Sequence, residues 1–264
     1  MSAPRRCRSI CGRFFCGETM EFLGFSICEL DKEAIVALVA QAIEKRRKCH
    51  LITVNPEMLA RQSQDGYFRE VLLRAEILVP DGIGVVWGAR LLGKSKIRRL
   101  AGIELAEALL FEGARRNWSF YFLGGKEGIA EKAASSMQRR YPGLQVVGTH
   151  HGYFAQDETV LEDINRLRPQ VLFVGMGAPR QEIWIDTHRE ALSPLVFMGV
   201  GGSFDVWSGE KRRAPGIFQR LGLEWFWRLG NEPGRLRRIV PSFWRFGMLV
   251  FREWMRKRWY NGKR

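Results

Sequence analysis

Between residues 49 and 200, short β-prone apolar runs alternate with longer stretches of helical spacing. This alternation constrains the fold more than any other feature of the chain. Residues 49–54, 76–79, 118–123, 145–147, 171–174 and 195–200 read as strands. Residues 56–64, 85–92, 103–116, 127–140, 159–167 and 181–191 carry the apolar spacing of helices, and Tyr141-Pro142-Gly143 is a stop signal for one of them. Strands alternating with helices of this length imply an α/β fold, a doubly wound, mostly parallel, Rossmann-like sheet. Ahead of it, residues 22–30 alternate like one strand, and Asp31 is placed to N-cap a helix running through residue 45. A hydrophobic fraction of 46% is ample for a core.

Near residue 205 the strand signals stop, and Arg, Trp and Pro take over. The expected organisation is a loose tail over residues 1–20, an α/β domain over 21–208 and a helical appendage over 209–264. Residues 211–264 hold fifteen Lys/Arg against three acids, Glu224, Glu232 and Glu253, a surplus of twelve within a net charge of +14. The same stretch carries Trp225, Trp227, Trp244, Trp254 and Trp259. Cations interleaved with indoles fit an anionic membrane surface, because indole favours the interface and cations favour anionic headgroups. Nucleic acid is the competing anionic partner.

Residues 241–260 read as an interfacial amphipathic segment. Phe243, Trp244, Phe246, Met248, Leu249, Phe251, Trp254 and Met255 stand against Arg245, Arg252, Arg256, Lys257 and Arg258. Packing on its own domain, or against a second copy of the chain, is the alternative. The apolar run at 246–251 is far short of the roughly 20 residues a spanning helix needs. Residues 1–20 are rich in Arg and Cys and lack the apolar centre of a secretory signal. Cys7, Cys11, Cys16, Cys28 and Cys49 form no C-x-x-C pair, so reduced thiols are expected rather than a zinc or redox site.

Ligands of open α/β sheets bind outside the carboxyl ends of the strands. The residues at those ends are therefore informative: Thr53-Val54-Asn55, Pro80-Asp81-Gly82, Gly124-Gly125-Lys126, the run from Gly175 through Gly177, Arg180, Gln181 and Glu182, and the run from Gly199 through Gly201, Gly202 and Asp205. Together these make a rim of bare backbone amides and a few polar side chains, suited to a phosphate-bearing nucleotide. Neither G-x-G-x-x-G nor a P-loop is present, which demotes NAD-dependent hydride transfer and ATP hydrolysis. D-x-D is absent as well, so the diphosphate of a nucleotide sugar would be met by arginines and amide dipoles. Pro80-Asp81-Gly82 is an ordinary turn sequence, and it is also a carboxylate at a strand end able to take a proton. Asn55 and Thr53 could orient an acceptor or cap the helix that starts near Pro56. Asp205 could bind a ribose hydroxyl or cap the next segment. His150-His151 has no further ligand at metal spacing and reads as a surface loop.

The ordered motifs carry more. In the first part of the chain they are Thr53-x-Asn55-Pro56-Glu57, Pro80-Asp81-Gly82-x-Gly84, Arg99-x-x-Gly102, Phe122-Leu123-Gly124-Gly125 and Gly148-x-x-x-Gly152-Tyr153-Phe154. In the second part they are Gly177-x-Pro179-Arg180-Gln181-Glu182, Gly199-x-Gly201-Gly202-x-Phe204-Asp205, Arg213-Ala214-Pro215 and Leu223-Glu224-Trp225-x-x-Arg228-Leu229. From about residue 20 to 240 the chain resembles the WecG/TagA/CpsF family, glycosyltransferase family 26. The resemblance implies an inverting enzyme without metal or cofactor, on the cytoplasmic face of the bacterial inner membrane. It would move a sugar from a UDP-sugar to an undecaprenyl-diphosphate-linked sugar.

The resemblance also assigns roles. It makes Asp81 the base and places Thr53 and Asn55 on the acceptor side. Arg99 and Gln181 become active-site residues, and Asp205 a nucleotide contact. Gly124, Gly125, Tyr153, Gly177, Gly201 and Gly202 would line the substrate rim, and Arg228, Arg235 and Arg238 of the appendage would reach the diphosphate. Arg180 replaces the family's usual Lys, and Glu104 its usual Asp. N-acetylmannosamine, its uronic acid and glucose are all donors of such a family, whose products include teichoic acid and exopolysaccharide. The competing readings are a non-catalytic UDP-sugar-binding assembly partner and a basic nucleic-acid-binding protein. The latter leaves the glycine rim unexplained, so nucleic acid is not the expected partner.

Overall fold

The computed structural model describes residues 19–94, 97–220, 222, 224–231, 234 and 236–261. It opens on a hairpin, β1 (Thr19–Phe22) and β2 (Phe25–Cys28), paired antiparallel, where the sequence pattern suggests a single strand. The two turn residues, Leu23 at φ 51° and Gly24 at φ 83°, are both left-handed, as a two-residue hairpin of matching twist requires. The inward set Met20, Phe22, Phe25 and Ile27 is buried on both arms, and the turn shifts the alternation by a single position between them. Cys28 is disulfide-bonded, against the expectation of reduced thiols, while Cys49 is free and buried. Asp31 caps α1 (Lys32–Glu44) as expected, accepting from the Ala34 N–H at 2.9 Å.

The next six strands are β3 (Cys49–Val54), β4 (Ile77–Pro80), β5 (Ser119–Gly124), β6 (Gln145–His150), β7 (Val171–Gly175) and β8 (Val196–Gly199). They form one parallel sheet in the order β4-β3-β8-β7-β5-β6. The crossovers are α2 (Pro56–Arg61), α3 (Gly66–Arg74), α4 (Ile83–Leu91), α5 (Gly102–Arg116), α6 (Ile129–Arg140), α7 (Glu158–Leu167) and α8 (Arg180–His188), and the short α9 (Ser203–Trp207) follows the last strand. The sequence reading lacks α3, although Asp65 caps it at Phe68 N–H and Phe68, Val71 and Leu72 share its buried face.

Side chains alternate across the sheet with period 2. Phe120 and Phe122 join α1, α5 and α6 on one face, with Phe173, Phe204 and Trp207. Tyr121 and Leu123 join α7 and α8 on the other. Further along that second face, Ile52 and Val54 pack with the hairpin and with α2, α3 and α4.

The C-terminal segment adds α10 (Gly216–Arg220), α11 (Glu224–Asn231) and α12 (Leu236–Asn261). Helix α12 lies against α2 and α4. Gly88 lets α4 approach it, since a Cβ there would sit 3.1 Å from Phe22, Phe246 and Val250. Phe246 and Val250 are thereby part of the core, and the Phe246 ring meets that of Phe22 at 6.4 Å. Truncating Phe246 to Ala should destabilise the protein by roughly 3 kcal/mol. Denaturant melts and amide exchange check this, with faster exchange expected across α12 and little change in β5 and β7.

Candidate active site

The carboxyl ends of β3, β4, β7 and β8 open into one cavity of about 680 Å³, roofed by residues of α11 and α12. Its position is set by the sheet order, because β3 and β8 are neighbours from opposite ends of the chain.

Asp81 is fixed on the wall of this cavity by two bonds. Its N–H donates to the Val54 carbonyl at 2.8 Å, continuing the β3–β4 pairing one step beyond the strand. Its Oδ2 accepts from the Gly102 N–H at 3.3 Å. Ala101, the N-cap residue of α5, contributes no side-chain bond, so Asp81 caps that helix from another strand end and meets its positive terminus. Gly82 has φ 90°, as the turn reading of this tripeptide expects. Thr53 comes within 2.8 Å of where a Gly102 Cβ would stand, which places its hydroxyl next to Asp81. Asn55 does cap α2, through Oδ1 to the Met58 N–H at 3.0 Å, while also lining the cavity.

Gln181 and Glu182 form the opposite wall. Gln181 Oε1 accepts from the N–H groups of both Gly177 and Gly201, each at 3.0 Å, and its Nε2 donates to Glu182 Oε1 at 2.7 Å. The Gly125 N–H is likewise bonded, to the Gly175 carbonyl. These three rim amides are therefore satisfied within the protein rather than bare. Burial pushes the Glu182 carboxyl up to about 7, and its Oε2 has no partner among the described residues. In the sequence Glu182 closes the Pro179-Arg180-Gln181-Glu182 motif, but its burial and its bond to Gln181 leave no mark there.

Arg99 is held rather than free. It donates to the Gln219 carbonyl at 2.9 Å and to Glu224 Oε1 at 2.7 Å. Glu224 also lies 3.7 Å from Arg213, which pairs with Glu104 at 2.7 Å. Two acids and two arginines thus tie α5 and the segment before it to α11 and the segment before that. Arg99 Nε and Trp225 Nε1 have no acceptor among the described residues, and both side chains line the cavity. Arg237, Phe243 and Arg245 line it too, and none of them is marked by a motif.

Other expected residues fall elsewhere. Gly177, Gly201 and Gly202 line the cavity, but Gly124, Gly125 and Tyr153 do not. Gly124 has φ 143° and would clash with the Gly175 carbonyl if it carried a Cβ, so it serves the close approach of β5 and β7. Tyr153 is 70% exposed. Asp205 sits in α9 beside Gly202, paired with Lys211 at 3.4 Å. The side chains of Arg228, Arg235 and Arg238 lie outside the described residues. Among the described residues no group of three or more His, Cys, Asp and Glu is placed to hold a metal.

A parallel sheet whose strand ends open into a polar, glycine-edged cavity is the arrangement in which α/β proteins bind ligands. The family model described as "Glycosyl transferase WecG/TagA/CpsF family" matches residues 20–260, and the chain belongs to that family. It is similar to the N-acetylglucosaminyldiphosphoundecaprenol N-acetyl-beta-D-mannosaminyltransferase of Bacillus spizizenii, at 34% identity over 203 residues, which cover 76% of this chain and 79% of the relative. A protein of the same name from Staphylococcus aureus strain MW2 is 37% identical over 196 residues, or 73% of this chain and 77% of the relative.

Two outcomes test the site's electrostatics. Glu224→Ala would leave Arg99 and Arg213 without their shared carboxylate. A loss of about 3 kcal/mol is expected, with amide protection falling first in α11, measured by denaturation and exchange. Glu182 is neutral in the fold at pH values where an ordinary carboxyl, at 4.5, is ionised. Its contribution to stability is therefore complete below 4.5 and is lost as pH rises through about 7. Thermal melts of Glu182→Gln should lack this slope, so the variant gains on the wild type across that window.

Proposed function

We propose that this protein transfers a sugar from a UDP-sugar to a polyprenyl-diphosphate-linked sugar at a membrane surface, by single displacement, with Asp81 as general base. The observation that carries the reading is the Asp81 carboxyl, anchored at the end of β4 by the Gly102 amide, with Thr53 beside it and Asn55 on the same cavity wall. A base must be held within reach of the attacking hydroxyl, and a carboxyl pinned at a strand end meets that demand. Displacement from the face opposite UDP inverts the anomeric centre. Both relatives are named as N-acetylmannosaminyltransferases acting on N-acetylglucosaminyldiphosphoundecaprenol. UDP-N-acetylmannosamine with that acceptor is accordingly the first pair to assay.

Charge grows on the UDP diphosphate as the bond breaks, and groups that meet it there lower the barrier. Arg237 and Arg245 line the cavity, and Arg99 Nε and Trp225 Nε1 are donors without an acceptor among the described residues. Arg228, Arg235 and Arg238 join them on the family resemblance, and no metal is required in this scheme. In this reading residues 21–208 are the catalytic unit, and 209–264 an appendage folded over it. Replacing Asp81 by Asn keeps the shape and the acceptor oxygen for the α5 cap. UDP binding should persist while kcat falls by about a hundredfold or more. A kcat near that of the wild type would refute the assignment.

Helix α12 supports the membrane part. One face carries Ile239, Phe246 and Val250 into the protein. The opposite face leaves Val240, Trp244, Met248, Phe251, Met255 and Trp259 exposed, at steps of three and four residues. Arg245, Arg252 and Arg256 flank that stripe. Among the described residues no helix is long and apolar enough to cross a membrane. An apolar face edged with cations suits the surface of an anionic leaflet. Changing Trp244, Met248 and Phe251 together to Ser should abolish sedimentation with anionic vesicles at moderate salt without lowering the melting temperature. Unchanged vesicle binding, or a concentration-dependent mass in place of it, would show that the face meets protein instead.

A further inference from the structure

Gln181 and Glu182 open α8 next to the loops that leave β7 and β8, and their exposures are only 5% and 2%. A side-chain amide has two ends of similar size and opposite polarity, and only its oxygen accepts from backbone N–H groups. Gly177 and Gly201 both direct an N–H at that single oxygen. Turned over, the amide would set its own NH2 against two donors. Glu182 holds the other end of the amide, its Oε1 receiving Nε2 at 2.7 Å, so a turned-over amide would also set oxygen against oxygen. Gly199 makes room for the pair, because a Cβ on it would collide with Gln181 Nε2 and lie 2.8 Å from Glu182 Oε1. Glu182 Oε2 meanwhile lies buried without a partner among the described residues. Such an atom is costly to bury. Packing alone would therefore favour an aliphatic side chain here, and the carboxyl has another use.

We infer that Glu182 is a positioning residue, whose Oε1 locks the Gln181 amide in the one orientation that ties the Gly177 loop to the Gly201 loop. The pair fixes the rim that receives the nucleotide end of the donor, a consequence that rests on the UDP-sugar reading above. Oε1 accepts whether the carboxyl is ionised or neutral, so the tie holds across the titration of Glu182.

The test uses the full chain with Glu182→Leu and Glu182→Gln, and reads amide exchange at Gly177 and Gly201, UDP affinity by calorimetry, and donor KM against kcat. Glu182→Leu should speed exchange at both amides and raise the UDP Kd and donor KM by about tenfold, the equivalent of one lost hydrogen bond. The change in kcat should be smaller. Glu182→Gln, whose carbonyl can accept from Nε2, should restore both protection and affinity. Unchanged exchange in the Leu variant overturns the inference, and so does a Gln variant as impaired as Leu. Should the Leu variant not fold, the Gln variant decides alone: wild-type protection at both amides supports the tie, and lost protection overturns it. Wild-type protein that binds no UDP, with exchange responding as expected, would sink the donor reading and leave the tie standing.

Discussion

The pairing of β3 with β8 is the contact on which the site depends. The chain lays down β3, adds β4 beside it, and then builds β5 and β6 some distance away. Only when β7 and β8 insert between them do the two halves become one sheet. That pairing sets the Gly199–Gly202 loop and Gln181 on the same cavity as Thr53, Asn55 and Asp81. The cavity is therefore a product of the completed sheet, and the residues that line it come from sequence positions more than a hundred apart.

Several polar residues of the wall do two things at once. Asn55 caps α2 and lines the cavity, Asp81 caps α5 and faces the same space, and Gln181 bridges two loops. The ordinary and the functional readings of these residues are not rivals. A cap or a bridge holds a side chain in one rotamer, and a reacting group needs that restraint. Arg99 goes further in this direction, since its bonds join the sheet domain to α11.

The sheet and most of its helices were legible because two periodicities, 2 and 3.6, leave separate marks in an amino-acid sequence. The hairpin was not, because its arms are four residues each and the turn at Leu23 and Gly24 marks itself only by a one-residue shift of the alternation. The strand-end rim was legible as a place, while the state of its amides was not. Whether the N–H groups of Gly125, Gly177 and Gly201 are bare or bonded depends on partners set by the tertiary fold. The state of Glu182 was hidden for a similar reason: a motif names the residue, but its burial comes from packing. In α12 the abundance of apolar residues was plain, but not their division into two opposed faces. Phe243, Phe246 and Trp254 turn toward the protein, and Trp244, Met248, Phe251 and Met255 turn away.

On the membrane reading, that division has a kinetic consequence. Helix α12 supplies Phe243 and Arg245 to the cavity while its far side is bare. If lipid covers the bare side, as proposed above, the helix would be at once a float and a wall, and would hold the cavity near the headgroups. A lipid-linked acceptor would then arrive by sliding within the leaflet. Its encounter rate would track the number of molecules per unit area of membrane, and dilution of the surrounding medium would leave it unchanged.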